Sequence, residues 1–363
     1  SVVFIAWLWS PDALALVPQR VWNNMTQYLL AAIPLFIFMA SMLEKSGVIE
    51  EVFDVAYKWL GRIPGGLAVA TVVASTVLAA MVGVIGAAVV TMALVALPSM
   101  LRRGYSPVLA VGTVMAGGTL GILIPPSVLA IVYGLVANQS VGELYLGSVF
   151  PGLVLSGLYI LFSVGYALLN PKAAPRLSPE ETPTWSERWR ALRSIWSPLV
   201  LIFLVLGTIF LGLAAPTEAA AIGAFGAMVV AAIHRRLSWT ILRLALEQTA
   251  KATAMVMWIV FGANAFVGFY IAQGGDRYVS ELLLGTGLSP WGILLLMQGI
   301  LIVLGMFLDW VGILLLAVPV FVPIIRDLGF DPLWFGVLYL VNMQISFLSP
   351  PFGYALFYVR GVA

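Results

Sequence analysis

Long apolar blocks separated by short polar breaks fill this chain from Met25 almost to its last residue. Met25–Leu43, Leu144–Leu169, Leu199–Leu213, Ala219–Ile233 and Ala252–Ala272 each read as a helix crossing a bilayer, for which roughly 20 mostly apolar residues are needed. Other blocks are interrupted. Val2–Trp9 stops at Ser10-Pro11-Asp12, Gly66–Met100 breaks near Val82–Gly86, and Tyr105–Leu135 breaks at Pro125-Pro126. Trp291–Leu308, Gly312–Ile325 and Leu333–Leu348 follow, with another segment starting at Pro351. The pattern predicts about ten to twelve membrane-embedded segments, several too short to cross alone. Val48–Leu60 mixes charges with bulky apolar groups at helical spacing and predicts a helix lying at the interface. Asn170–Arg193, with Pro171, Pro175, Pro179 and Pro183 among charges, predicts a loop between two halves that ends in a surface helix over Trp185–Ser194.

Composition confirms lipid as the solvent. Of 363 residues, 62% are hydrophobic and 9% charged, against about 25% charged in a soluble domain. A net charge of +2 gives no basis for nucleic-acid binding. The absence of Cys removes thiolate chemistry, and one histidine, His234, inside His234-Arg235-Arg236, gives no basis for an imidazole metal site. Trp7, Trp9, Trp22 and Trp59 suit interfacial belts. Ser1 and Ala363 both lie inside apolar sequence, so the natural chain is expected to continue at both ends.

The chain also matches itself at a shift of 225 residues without a gap. Pro98 falls on Pro323, Gly104 on Gly329, Pro107 on Pro332 and Pro125-Pro126 on Pro350-Pro351, while Met81, Ala130 and Tyr133 fall on Met306, Ala355 and Tyr358. Each half holds a broken apolar segment, a Gly-x-x-Pro turn and a span broken by Pro-Pro. The first turn carries Arg102 and Arg103 and follows Lys58 and Arg62; the second carries Arg326, Asp327 and Asp331. Basic loops stay cytoplasmic, so the two units are expected to face opposite sides, the inverted repeat of a secondary transporter.

Pro-Pro removes two backbone donors and bars the preceding residue from helical geometry. Carbonyls freed there must line a protein-buried site, where they could ligate a hard cation such as Na⁺; helices restarting after Pro126 and Pro351 would aim their N-terminal dipoles at an anion. Asp309, in Gly305-Met-Phe-Leu-Asp309-Trp-Val-Gly312, is an ionisable residue expected at membrane depth and hence a functional candidate. Thr119, Ser127, Gln344, Ser346 and Ser349 flank the breaks and offer oxygens for Na⁺ or substrate, or for helix–helix hydrogen bonds. Glu218 opens a span in a structural position, and Arg360 is expected at an interface. No His-Glu-x-x-His, Gly-x-Ser-x-Gly or Walker A sequence occurs, and an intramembrane hydrolase would need a Ser/Lys, His/Ser or paired-Asp site where only Asp309 is clearly placed.

Gly117-Gly-Thr-Leu-Gly-Ile-Leu-Ile-Pro-Pro-Ser127, Pro216-Thr-Glu-Ala-Ala-Ala-Ile-Gly223 and Phe347-Leu-Ser-Pro-Pro-Phe-Gly353 resemble the large membrane subunit, DctM-like, of tripartite ATP-independent periplasmic (TRAP) transporters, over essentially the whole chain. The resemblance implies an all-α integral membrane protein of the inner membrane: an inverted-repeat, elevator-type transporter with two helical hairpins and two Pro-Pro-broken helices. It implies scaffold helices and an interfacial helix in residues 1–65, a first transport unit in 66–143, scaffold with the polar linker 170–193 in 144–272, and a second transport unit in 273–363. It implies Na⁺ as coupling ion, a small four-helix membrane subunit and a periplasmic substrate-binding protein as partners, and a small organic acid, a carboxylate, as substrate. Carried over by motif, one Na⁺ site involves Gly83, Gly86, Thr119 and Gly121, the other Asp309, Gln344 and Ser349. Gly118, Pro126, Ser127, Ser346 and Pro351 are the expected substrate positions. The alternative is a stand-alone Na⁺/organic anion symporter of related hairpin architecture; neither reading is an enzyme.

Overall fold

The computed structural model describes residues 16–176 and 183–362, and these are helical. The expected half-span Val2–Trp9, with Trp7 and Trp9, lies outside the described residues. A first helix, α1 (Leu16–Met25), was not anticipated. A 3₁₀ turn, Tyr28–Ala31, leads into α2 (Ala32–Lys45), followed by α3 (Val48–Leu60). The first hairpin is α4 (Gly66–Val82) and α5 (Ile85–Arg102). The first broken helix is α6 (Pro107–Thr119), a 3₁₀ turn over Leu120–Ile122, and α7 (Val128–Ala137).

A connector follows: α8 (Val141–Leu169), the surface helix α9 (Trp185–Ser194), α10 (Trp196–Phe210) and α11 (Pro216–Ile233). Then come α12 (Trp239–Ala272) and α13 (Gly275–Leu284). The second hairpin is α14 (Pro290–Phe307) and α15 (Trp310–Asp327), and the second broken helix is α16 (Pro332–Leu348) and α17 (Tyr354–Arg360). Among the described residues, seven helices are long and apolar enough to cross a membrane, or eight if the bent pair α9–α10 counts as one.

The register of 225 found in the sequence is a register of structure. The bounds of α5 map residue for residue onto those of α15. Gly104 and Gly329 both turn with φ near +80° (76° and 80°), where a Cβ would cost about 1–2 kcal/mol, and both Pro-Pro bonds are cis. The correspondence reaches further than the prolines did: α2 maps into α12, and α3 onto α13. The helix α13 went unread because GDRYVSELLL is short and charged. Likewise α12 begins well before the expected Ala252. Arg243 and Glu247 pair one turn apart at 2.8 Å, so a charged turn continues the helix beyond its apolar part.

Chain tracing fixes the relative orientation. Between the open end of the first hairpin and that of the second lie five crossings: α6–α7, α8, α10, α11 and α12. An odd number places the two openings on opposite faces. Arg236 binds Glu51 at 2.8 Å and the Ser46 carbonyl at 2.8 Å, and the Trp59 indole donates to the Arg188 carbonyl, gathering the junctions α2–α3, α9–α10 and α11–α12 on one face. That face also carries Lys58, Arg62, Arg102, Arg103, Arg190, Arg193 and Arg235, so it is cytoplasmic.

The two surface helices differ. One face of α3 is buried, and Trp59, placed by sequence in a lipid belt, instead packs on Trp185 and Trp189 of α9 with ring centroids 5.6 and 5.7 Å apart. Trp22 is exposed as expected. On α13 only Leu283 is buried.

Candidate functional site

The α4–α5 hairpin ends at Gly83, whose left-handed backbone (φ +63°) reverses the chain, and at Val84, which is extended. The Gly83 carbonyl accepts the Val128 N–H at 3.3 Å, and a Cβ on Gly83 would overlap the Pro126 carbonyl oxygen. A Cβ on Gly121 would lie 3.7 Å from the Val84 carbonyl oxygen. The first tip therefore closes onto the first break, bringing backbone oxygens of Gly83, Val84 and Pro126 together; the tip sequence Val82–Gly86 has no side-chain oxygen of its own. The whole break, Leu120–Ser127, is buried.

Side chains around this break are largely engaged within the protein. The Thr119 hydroxyl donates to the Ala116 carbonyl at 2.8 Å and also bonds Tyr159, which leaves its backbone as the part facing the break. Ser127 caps α7: its hydroxyl donates to the Ile122 carbonyl and accepts the Ala130 N–H, while its carbonyl accepts from Tyr145. Gly118 is where α6 touches α5, since a Cβ would overlap Val89. Gly86 meets the ring of Tyr358, 3.1 Å from where its Cβ would be, so the first hairpin touches the last helix of the second unit.

The second unit repeats the plan with polar side chains added. The Phe352 N–H donates to the Met306 carbonyl at 3.3 Å, Gly305 packs on Ser346, and the Tyr339 hydroxyl donates to the Trp310 carbonyl at 3.2 Å. These three contacts join the hairpin to its broken helix. At the tip, Asp309 is the N-cap of α15: its oxygens accept from Val311 and Gly312 N–H groups at 3.3 and 3.2 Å. An ionised carboxylate has about four acceptor positions, so two remain. Gln344 donates to the Leu340 carbonyl, yet its Oε1 is buried without a hydrogen-bond partner, as is the Ser346 hydroxyl. Such orphaned oxygens are costly unless something fills them, and a hard cation fits that chemistry. Ser349 ends α16 and its carbonyl accepts from Gly353. Pro351 and Phe352 are exposed, unlike their buried counterparts in the first break.

Sequence reading missed the capping role of Asp309, although Asp before an apolar run is an N-cap signal. It also missed the part-buried amide pair Asn342–Gln298 (2.7 Å) joining α16 to α14; two amides inside apolar runs were the available clue. Glu218 reaches back to the Ala215 N–H at 2.9 Å, as a structural residue at a helix start does, and Arg360 is exposed at the end of α17.

The family profile of the "Tripartite ATP-independent periplasmic transporter, DctM component" matches residues 1–363. The C4-dicarboxylate TRAP transporter large permease protein DctM of Pseudomonas aeruginosa is 34% identical over 356 residues, covering 98% of this chain and 82% of that protein. The sialic acid permease SiaM of Vibrio cholerae is 29% identical, covering 100% and 85%. The ectoine/5-hydroxyectoine permease UehC of Ruegeria pomeroyi is 31% identical, covering 90% and 76%. Among solved structures, the Alcanivorax borkumensis YdaH transporter shares the fold with a TM-score of 0.68 at 18% identity, covering 98% of this chain and 83% of that one. With two hairpins, two Pro-Pro breaks and a family match along its whole length, this chain belongs to the DctM component family of TRAP transporters, an inner-membrane permease and not an enzyme.

Proposed function

We infer that this chain is the permease subunit of a Na⁺-coupled importer of small organic acids, working with a small four-helix membrane subunit and a soluble periplasmic protein that delivers the substrate. The observation that carries this reading is the second tip: Asp309 retains acceptor capacity beside a broken helix whose Gln344 Oε1 and Ser346 Oγ are buried and unpartnered. The first tip offers backbone oxygens at the symmetry-related place, giving two oxygen-lined positions suited to two coupling ions. The two hairpins and two broken helices would carry the solute as one body past α2 and α12. Relatives named for C4-dicarboxylate, 2,3-diketo-L-gulonate and sialic acid support the organic-acid class. Because relatives of differing substrate lie within a few per cent of one another in identity, similarity does not select among acids.

The test is uptake by proteoliposomes containing the chain and its small subunit, with the ligand first identified by mass spectrometry of the partnering periplasmic protein. Uptake should require both that protein and a Na⁺ gradient. Undiminished uptake with Na⁺ replaced by K⁺ would remove the coupling, and uptake without either partner would favour the stand-alone symporter.

A further inference from the structure

A cavity of about 540 Å³ lies between the first hairpin's tip and helices α2 and α12. Val84 and Ala87 of the hairpin and Tyr358 of α17 form one wall; Lys45 of α2 and Glu247, Gln248 and Lys251 of α12 line the other. Most of these charges are matched. Lys45 pairs with Glu44 at 2.8 Å, Glu44 also accepts from Gln248 at 2.9 Å, and Glu247 pairs with Arg243. Lys251 is exposed and makes no ion pair among the described residues. It sits twelve residues into α12 from Trp239, about 18 Å along the axis at 1.5 Å per residue. That places it at the cytoplasmic start of the helix's apolar part, one turn beyond Gln248, and the cavity gives its ammonium solvent. The cavity thus joins the tip of the hairpin that opens to the cytoplasm to an uncompensated positive charge on the cytoplasmic half of α12.

We propose that this cavity is the cytoplasmic release vestibule for the transported organic anion, and that Lys251 draws the carboxylate away from the hairpin tip. The inference rests on the permease reading above and adds a residue and a route to it. The apolar remainder of the walls accepts the body of the solute, while the single free ammonium acts on its charged end.

The chain lacks Cys, so the vestibule can be probed by its reaction with charged thiol reagents, independently of Na⁺, substrate or partners. Ala87→Cys, in the full chain with its small subunit, is exposed from the cytoplasmic face to a sulfonate-bearing or a trimethylammonium-bearing methanethiosulfonate. Ser186→Cys on the exposed face of α9 is the reference. The anionic reagent should be preferred at Ala87→Cys on the order of tenfold over that reference, the scale of one unit charge acting across a partly wet cavity. Adding Lys251→Gln should abolish the preference and Lys251→Arg should keep it. Absence of cytoplasmic labelling, or a preference unchanged by Lys251→Gln, overturns the proposal whether or not uptake proves Na⁺-dependent.

Discussion

Gly83 stands against Pro126 with no room for a side chain between them: a Cβ would run into the Pro126 carbonyl oxygen, and the backbone of Gly83 is left-handed. Gly83→Ala therefore meets a backbone atom that cannot swing aside, in addition to about 1–2 kcal/mol of conformational strain. Gly121→Ala, across the same junction, meets Ala88 and Val84 at 3.6 and 3.7 Å, ordinary contact distances. Thermal melting in detergent should fall by several degrees for Gly83→Ala and hardly at all for Gly121→Ala. Equal melting of the two variants would contradict the close junction.

Asp309 caps α15 and, on the function proposed above, also ligates Na⁺; substitution can separate the two. Asn caps helices about as well as Asp, so Asp309→Asn should insert and melt normally while losing the charge-assisted bond to a cation, worth about 1.5–3 kcal/mol or roughly ten- to a hundred-fold in Na⁺ affinity. Asp309→Ala loses the cap as well and should also be destabilised, by about 0.5–2 kcal/mol. Na⁺ titrations of uptake beside melting curves resolve the two tasks; a normal Na⁺ curve for Asp309→Asn would end the ligand assignment.

Opposed hairpins make a labelling forecast. Arg102 and Asp327 are exposed residues at the C-terminal ends of α5 and α15. Single cysteines at these positions should react with an impermeant reagent from opposite faces. Reaction from the same face would mean that one of the five crossings does not cross.

Glu187 accepts the Thr184 N–H at 2.7 Å and its hydroxyl at 2.9 Å, and these bonds, the backbone one foremost, hold its carboxyl below the ordinary carboxylate range. The ionised form is the one that caps α9, so the capping contribution is present above the ordinary value near 4.3 and lost as pH falls through the lowered one. Hydrogen exchange at the first turn of α9, corrected for intrinsic rates, should quicken in that acid window, and Glu187→Gln should flatten the response. Parallel profiles for the two proteins would refute the cap.

Much of this architecture was legible because membranes force it. Spans announce themselves by apolar length, and each break had to be written with Gly or Pro, as at Val82–Gly86 and Pro350-Pro351. What sequence could not show was direction. Thr119 and Ser127 are polar residues beside a break, yet the structure turns both hydroxyls onto nearby carbonyls, while Gln344 and Ser346, read by the same rule, have oxygens left over. Only packing decides which way a side chain turns. The amphipathic α13 escaped notice because ten residues with three charges are too short and too polar to stand out among long apolar blocks until the fold aligns them with α3.

The correspondence of residues 28–137 with 253–362 has a consequence for how such a chain could arise. Each copy comprises one crossing, a surface helix, a hairpin that returns to its own side and one broken crossing, so it finishes on the face from which it began. In a segment of that kind the number of passages leaves open which way up it sits, and the Lys/Arg bias of its loops decides. The chain settles the matter through α8, α10 and α11: three intervening passages turn the second copy over, where two or four would have left both copies pointing alike. Ancestral halves inserted in both directions and pairing as two molecules would need only an odd-numbered bridge to become one.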